Sequence, residues 1–214
     1  MKTINLFFLP AILLCCFNVL DAQPKPLSQA DANTVRKIIA EAAKSTNSVE
    51  SQFTQTKELS VIKEKIVSKG NFYFKKEKLL RWEYTSPFPY LIIFNNEKIF
   101  IKDEDKENHI SLQSNKVFRD VNNILIGAVQ GTLLSDTKNF QCSIFDLLDQ
   151  YQASLIPQNL KIKETLSEII LYFNKSDFTV DKLVMREVSG DYTSIEFGSK
   201  KINQNIPDAK FSIP

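Results

Sequence analysis

Apolar and polar residues alternate with a period of two through most of the chain, and the alternation is densest from Gly70 to Pro87, GNFYFKKEKLLRWEYTSP. Phe72 and Phe74 share a parity with Lys76, while Leu80, Trp82 and Tyr84 share one with each other and leave Arg81 and Glu83 opposite. Successive side chains of a strand point to opposite faces, so the spacing predicts two half-buried strands joined by a polar turn at Lys75 to Lys78. Pro87 and Pro89 end the second strand. On its pattern alone this is an amphipathic hairpin of an antiparallel sheet.

The flanking segments fit around it. Gln23 to Leu27 is a proline-stiffened arm leading to Ser28, a helix N-cap with Asp31 three residues on. Val35, Ile38, Ile39, Ala42 and Ala43 then recur at helical spacing as one narrow apolar stripe, in a helix ending near Ser45 to Ser48. From Val49 the period returns to two, with Phe53 on one face of the strand ESQFTQTKEL, and Val61 to Ser68 read as a loop or the start of the next strand. Leu91 to Phe94 and Ile99 to Ile101 form a second hairpin, turning at Asn95-Asn96-Glu97-Lys98, before an acidic and polar loop from Lys102 to Asn108.

Helical spacing reappears between Asn115 and Gly131, at Val117, Val121, Ile124, Leu125 and Ala128. A helix inserted among strands must cover something apolar. Strands then resume at Phe140 to Leu147, Tyr151 to Ile156, Glu168 to Phe173, Phe178 to Val188 and Thr193 to Phe197. Short turns between consecutive strands exclude parallel pairing, so the expected fold is an antiparallel meander of about nine to eleven strands with two helical pieces.

The leader changes the compartment. Residues 1–22 carry a Lys near the start, an apolar stretch from Ile4 to Phe17 and Ala22 ahead of Gln23, the layout of a cleaved secretory signal, so residues 23–214 are expected to form a single domain. Cys15 and Cys16 fall in the leader and leave Cys142 alone, which rules out an intrachain disulfide in the mature chain. A lipid-modified Cys16 stands as an alternative, against which Cys15 is a poor lipobox residue. The net charge of +2, with both signs interspersed, gives no footprint for nucleic acid.

Candidate chemistry is sparse. His109, the one histidine, is expected at the surface of a loop, and Cys142 alternates with Phe140 and Ile144 as a small core residue. One His and one Cys make a zinc site of the usual ligands a poor fit, and the acidic loop lacks the spacing of a calcium loop. Five glycines leave no phosphate-cradling loop. An enzyme therefore finds no support, and neither a cofactor nor a metal is expected. Apolar capacity is the positive signal: 16 Phe, 6 Tyr and 1 Trp, many on one face of consecutive strands, with two amphipathic helices to cover that face.

Several segments together resemble the LolA-like family of periplasmic outer-membrane lipoprotein carriers. Ser51-Gln52-Phe53-Thr54-Gln55 is similar to the family's S-x-F-x-Q strand, and the likeness is strongest in Gly70 to Lys76 followed by Leu80-Arg81-Trp82-Glu83-Tyr84 and Pro87. Leu91 to Phe100 looks like its L-I-x-x-D-G-x-x-x-W hairpin, and Ile206-Pro207-Asp208 with Phe211 and Pro214 is similar to its closing D-x-x-F-x-x-x-P strand. The resemblance implies a mainly β fold with α: a half-open antiparallel β-barrel under a lid of amphipathic helices, the segments Ser28 to Lys44 and Asn115 to Gly131. It implies an apolar cavity for lipoprotein acyl chains, here lined by Phe53, Phe72, Phe74, Leu80, Trp82, Tyr84, Leu91, Ile93, Ile124 and Leu125, with Leu80 at its mouth. The family's K-R-P turn, whose arginine latches the lid, corresponds to Lys75, Lys76 and Glu77, so Lys76 is expected to be a looser latch. Implied partners are acylated lipoproteins, an inner-membrane lipoprotein-releasing ABC transporter and an outer-membrane acceptor, in some members a lipid-anchored receptor. The protein would act as a monomer in the periplasm of a Gram-negative bacterium. The same fold also serves carriers or sensors of glycolipids and pigment lipids and outer-membrane-anchored acceptors, which stand as alternatives.

Overall fold

The computed structural model describes residues 24–111 and 124–214, apart from Lys63, Glu77, Glu97 and Asp105. The leader with Cys15 and Cys16, and the first part of the predicted second helix, including Val117 and Val121, lie outside the described residues.

Helix α1 (Gln29–Ser45) precedes the strands β1 (Ser48–Leu59), β2 (Glu64–Lys75), β3 (Leu79–Ser86), β4 (Tyr90–Asn95), β5 (Lys98–Asp103) and β6 (Lys106–Ser111). A helical segment α2 (124–129) and a 3-10 turn at Thr132–Ser135 lead to β7 (Phe140–Asp146) and β8 (Gln150–Pro157). A single-turn helix α3 (Leu160–Lys163) is followed by β9 (Leu166–Asn174), β10 (Val180–Glu187), β11 (Tyr192–Phe197) and the two-residue β12 (Lys201–Ile202). All strands join one 12-stranded sheet in the order β6-β5-β4-β3-β2-β1-β11-β10-β9-β8-β7, with β12 beside the start of β1. Every pairing is antiparallel, and β6 and β7 are left as the two edges of an unclosed sheet.

The predicted mainly β, half-open architecture holds, with two local corrections. The polar stretch expected to be a loop from Lys102 to Asn108 turns at Glu104 and returns as β6, carrying His109 on a strand opposite Phe100. An edge strand tolerates charge, because side chains such as Lys106 and Glu107 face water and discourage pairing with another chain. Val61 to Ser68, expected as a loop or the start of the next strand, is a tight turn followed by β2 from Glu64. Second, the closing strand is reduced to β12, and Ile206 to Phe211 instead crosses the outside of the sheet and ends in a 3-10 turn at Asp208–Phe211.

Parity assigns the two faces. Phe74, Leu80, Phe94 and Ile99 align across β2 to β5, as do Phe72, Trp82, Ile92 and Ile101 in the next row, all on the concave face. Helix α1 crosses that face with Ala32, Val35 and Ile39 inward, its start fixed by the Ser28 side chain accepting from Asp31 N–H at 3.2 Å. The opposite face carries Ile93 and Phe100, buried by Ile206 and Phe211 of the C-terminal segment. That segment is held by polar bonds: Arg81 Nη1 donates to the Lys210 carbonyl at 3.2 Å and Asn95 Nδ2 to that of Phe211 at 3.1 Å.

Gly70 sets the closest approach in the concave wall. A Cβ there would lie 2.0 Å from the Glu83 carbonyl oxygen and 2.9 Å from the Phe53 ring, beside the register shift between Lys69 and Gly70. The missing side chain lets Phe53 lie over the backbone against its cross-strand aromatic neighbours. Gly70→Ala is therefore expected to destabilise the protein by about 3 kcal/mol, the scale of overpacking a rigid site. Urea denaturation checks this, and an unchanged midpoint would show that β2 and β3 separate freely.

Candidate functional site

The main hydrophobic cluster among the described residues lies on the concave wall. Phe53 on β1, Trp82 and Tyr84 on β3, Phe72 on β2 and Phe197 on β11 form one aromatic cluster. Phe53 lies 4.6 Å from Trp82 and meets Tyr84 edge-on at 5.1 Å, and Phe72 meets Trp82 at 5.1 Å and Phe197 at 5.3 Å. Tilted and edge-on contacts of this kind add to simple area burial. The wall continues into Phe74 and Leu80, both buried.

Two polar groups are built into it. Tyr84 donates its hydroxyl hydrogen to Gln55 Oε1 at 3.0 Å, and burial pushes the pKa of that hydroxyl up to about 12. Trp82 Nε1 is buried in the same wall, and hydrogen bonding by Trp82 to the Tyr84 hydroxyl partly offsets the effect of burial.

The cover consists of Ala32, Val35 and Ile39 from α1, Ile124 and Ala128 from α2, and Leu133 and Leu134 from the turn that follows. Gly131, at φ 65°, brings that turn against Ile39, where a Cβ would approach Ile39 Cγ2 to 2.8 Å. A crevice between cover and wall, bordered by Val49, Phe72, Val129 and Phe197, holds about 20 Å³, enough for one water molecule.

The predicted cavity residues thus divide. Phe53, Phe72, Phe74, Leu80 and Trp82 come together in the wall, with Tyr84 half-buried at its end, and Ile124 and Leu125 face it from α2. Leu80 is 0% exposed and sits within the wall, so its expected place at a mouth is corrected. Leu91 and Ile93 lie on the other face, packed with Phe100, Ile206 and Phe211. Their neighbours Ile92 and Phe94 hold the concave positions, because β4 pairs Trp82 with Ile92 and Leu80 with Phe94. Phe197, in contact with both Phe72 and Trp82, is not among the expected residues, although its parity with Ile195 on a predicted strand is readable.

Helix α1 is tied at both ends and midway. Leu27 N–H donates to the Ile144 carbonyl at 2.7 Å at one end, and Asn203 Nδ2 donates to the Ser45 carbonyl at 3.0 Å at the other. Midway, Arg36 Nη2 donates to the Cys142 carbonyl at 2.9 Å, with Arg36 Nε left buried and unpartnered. Lys76 Nζ donates to the Lys44 carbonyl from the exposed hairpin turn, a cation at the helix C-terminus where the dipole favours it. Lys76 therefore touches the end of the helix rather than its inner side, and the arginine beneath the lid comes from the lid itself. In residues 124–134, Gln130 N–H donates to the Ile126 carbonyl at 2.8 Å and Gly131 N–H to the Ala128 carbonyl at 3.2 Å, and the Leu133 carbonyl accepts from Asp136 N–H at 3.2 Å.

Little else in the structure suggests chemistry. Burial pushes the Cys142 thiol up against the opposing influence of Arg36, and His109 stacks at 5.2 Å on Phe100 on the convex face. Among the described residues, no group of three or more His, Cys, Asp or Glu is placed to hold a metal, and no helix is long and apolar enough to cross a membrane.

Comparison with known proteins agrees with this geometry. Among solved structures, an uncharacterized conserved protein from Thermus thermophilus superposes with a TM-score of 0.55 at 10% identity, covering 86% of this chain and 94% of that one. Mycobacterium tuberculosis lipoprotein LppX gives 0.51 at 12% identity over 84% and 99% of the two chains. These likenesses concern the fold. An outer-membrane lipoprotein carrier protein from Pseudoalteromonas translucida (strain TAC 125) is 20% identical over 142 residues, which span 66% of this chain and 64% of that relative. Residues 44–214, which include every strand described above, match the family described as outer membrane lipoprotein carrier protein LolA. The chain belongs to the LolA family of outer membrane lipoprotein carrier proteins.

Proposed function

We propose that the protein, after removal of residues 1–22, is a periplasmic carrier that shelters lipoprotein acyl chains against the concave wall. It would take them from an inner-membrane lipoprotein-releasing ABC transporter and pass them to an outer-membrane acceptor. The observation that carries this reading is the aromatic wall, continuous from Phe197 through Phe53 and Phe72 to Trp82 and covered by helical side chains instead of a second sheet.

Where the described cover packs on the wall, cargo reaches the wall by displacing part of that cover. The exchange replaces apolar lid contacts with apolar cargo contacts, and the cargo is large enough to drive it. At roughly 0.8 kcal/mol per methylene, a chain of about 16 carbons gains on the order of 10 kcal/mol before the cost of opening. Phe53, Phe72, Phe74, Leu80, Trp82 and Tyr84 are the contact surface in this proposal, with Ile124 and Leu125 displaced from it. Helix α1 is fastened at both ends and by Arg36, so the cover is proposed to part from the wall on the α2 side.

The direct test titrates the purified protein with a synthetic diacylated peptide while following Trp82 fluorescence. Saturable quenching or blue shift is expected with the acylated peptide and none with the unacylated one; equal responses, or no response, would overturn the carrier reading. Mass spectrometry of protein isolated from its native periplasm identifies the chains carried. Leu133→Ala, which loosens the turn after α2, is expected to speed acyl-peptide uptake about fivefold in stopped flow, a barrier change of roughly 1 kcal/mol. Lys76→Met is expected to alter the same rate by less than about twofold, since an exposed cation at a helix end contributes well under 1 kcal/mol.

A further inference from the structure

Three polar residues border the crevice between cover and wall: Thr46, Thr179 and Lys200. Their donors differ in what they have left to give. Thr46 Oγ1 donates to the Ala42 carbonyl at 3.1 Å and Thr179 Oγ1 to Asp177 Oδ1 at 2.7 Å, so each hydroxyl hydrogen is spent. Lys200 has three hydrogens to place. Its Nζ donates to the Val180 carbonyl at 3.3 Å and to Asp181 Oδ1, which leaves one N–H without a partner among the described residues.

The burial of this lysine is unusual for its place in the chain. Lys200 lies on the link between β11 and β12, where a long cationic side chain ordinarily runs out to water, yet its side chain is only 9% exposed. Asp181 holds it in. That carboxylate is itself fixed at Oδ2, which accepts from Gln150 Nε2 at 2.9 Å and from Asn174 Nδ2 at 3.1 Å. Gln150, Asn174 and Asp181 also border a surface groove at the β7–β8 turn, so the Lys200–Asp181 pair stands between that groove and the apolar crevice. The crevice in turn leads into the aromatic wall, because Phe72 and Phe197 border it and meet the Trp82 ring at 5.1 Å and 6.1 Å.

We propose that Lys200 determines the orientation and class of the cargo: its spare N–H donates to the ester carbonyl that joins an acyl chain to its head group, and the chain runs inward along Phe72 and Phe197 to Trp82. The inference rests on the carrier reading and adds to it where the polar end of the chain sits. A crevice of about 20 Å³ has room for one such oxygen. A neutral acceptor suits the site better than an anion, because Asp181 already balances the ammonium charge. Around the pair, Lys175 is matched by Asp146 and Lys201 by Glu50, while Lys44 and Lys76 at the end of α1 offset Asp149 and Asp177 on the turns. No net field draws a carboxylate or phosphate here.

Titration of Trp82 fluorescence with the diacylated peptide and with its dialkyl counterpart, whose ether links lack only the carbonyl oxygens, tests the assignment. The wild type is expected to bind the ester peptide about tenfold more tightly, the scale of one charge-assisted hydrogen bond. Lys200→Met keeps the bulk of the stem and should bring the two affinities to within about twofold of each other. Lys200→Arg should retain a preference for the ester, and Lys175→Met on the neighbouring turn should leave the wild-type ratio unchanged. Each ratio is taken within one variant, so a general loosening of the cover cancels, and the wild-type comparison stands even where Lys200→Met fails to fold. Equal affinity of the wild type for the two peptides, or an ester preference that survives in Lys200→Met, would overturn the inference and leave the carrier reading intact. Tighter binding of palmitate than of methyl palmitate would overturn it in favour of an anionic ligand. Failure to bind either peptide would remove the carrier reading and this inference together.

Discussion

An antiparallel sheet that curls without closing leaves its concave face exposed to water unless something else covers it, and the rest of this structure follows from that constraint. Barrels remove the difficulty by joining their edges, and sandwiches by stacking a second sheet. Here β6 and β7 remain apart as edges, so cover must come from α1, α2 and the turn at Thr132–Ser135. The narrow stripe of Ala32, Val35 and Ile39 suffices because the wall supplies the bulk: Phe53, Phe72, Phe74 and Trp82 reach up to meet small residues.

The convex side solves a smaller version of the same problem. Ile93 and Phe100 would be exposed on an ordinary outer face, and the chain after β12 returns across them with Ile206 and Phe211. Arg81, Asn95 and Lys75 then hold this return by side-chain bonds to its carbonyls. The half-barrel is thus clamped across β2 to β5 on its convex side, and the concave cover is clamped through α1.

This arrangement also explains which elements are legible in the sequence. The hairpin from Gly70 to Pro87 is fully legible because one face is apolar and the other polar, so parity has a single solution. β4 is not, because Leu91-Ile92-Ile93-Phe94 is apolar on both faces; the choice between odd and even positions depends on Trp82 pairing with Ile92, a register set by tertiary contacts. The C-terminal segment that makes both faces apolar lies far away in sequence, Phe211 being 116 residues beyond Asn95. β6 is hidden for the opposite reason: an exposed edge strand needs few apolar residues, so KENHIS carries the composition of a loop. The lid shows its stripe but not its fastening, since the Arg36 bond to the Cys142 carbonyl depends on how α1 lies across β7.

The fastening bears on what the covered wall can do. Trp82 stands at the centre of the wall, with Phe53, Phe72 and Phe197 packed around its ring, and Arg36 reaches beneath the lid to the Cys142 carbonyl. The aromatic contacts around Trp82 are shared among four strands and involve no lid side chain. In the proposed carrier, opening costs apolar contacts that an acyl chain restores in kind. A reversible carrier needs both conditions: a wall that keeps its shape when uncovered, and a cover whose loss is small enough for the cargo to offset.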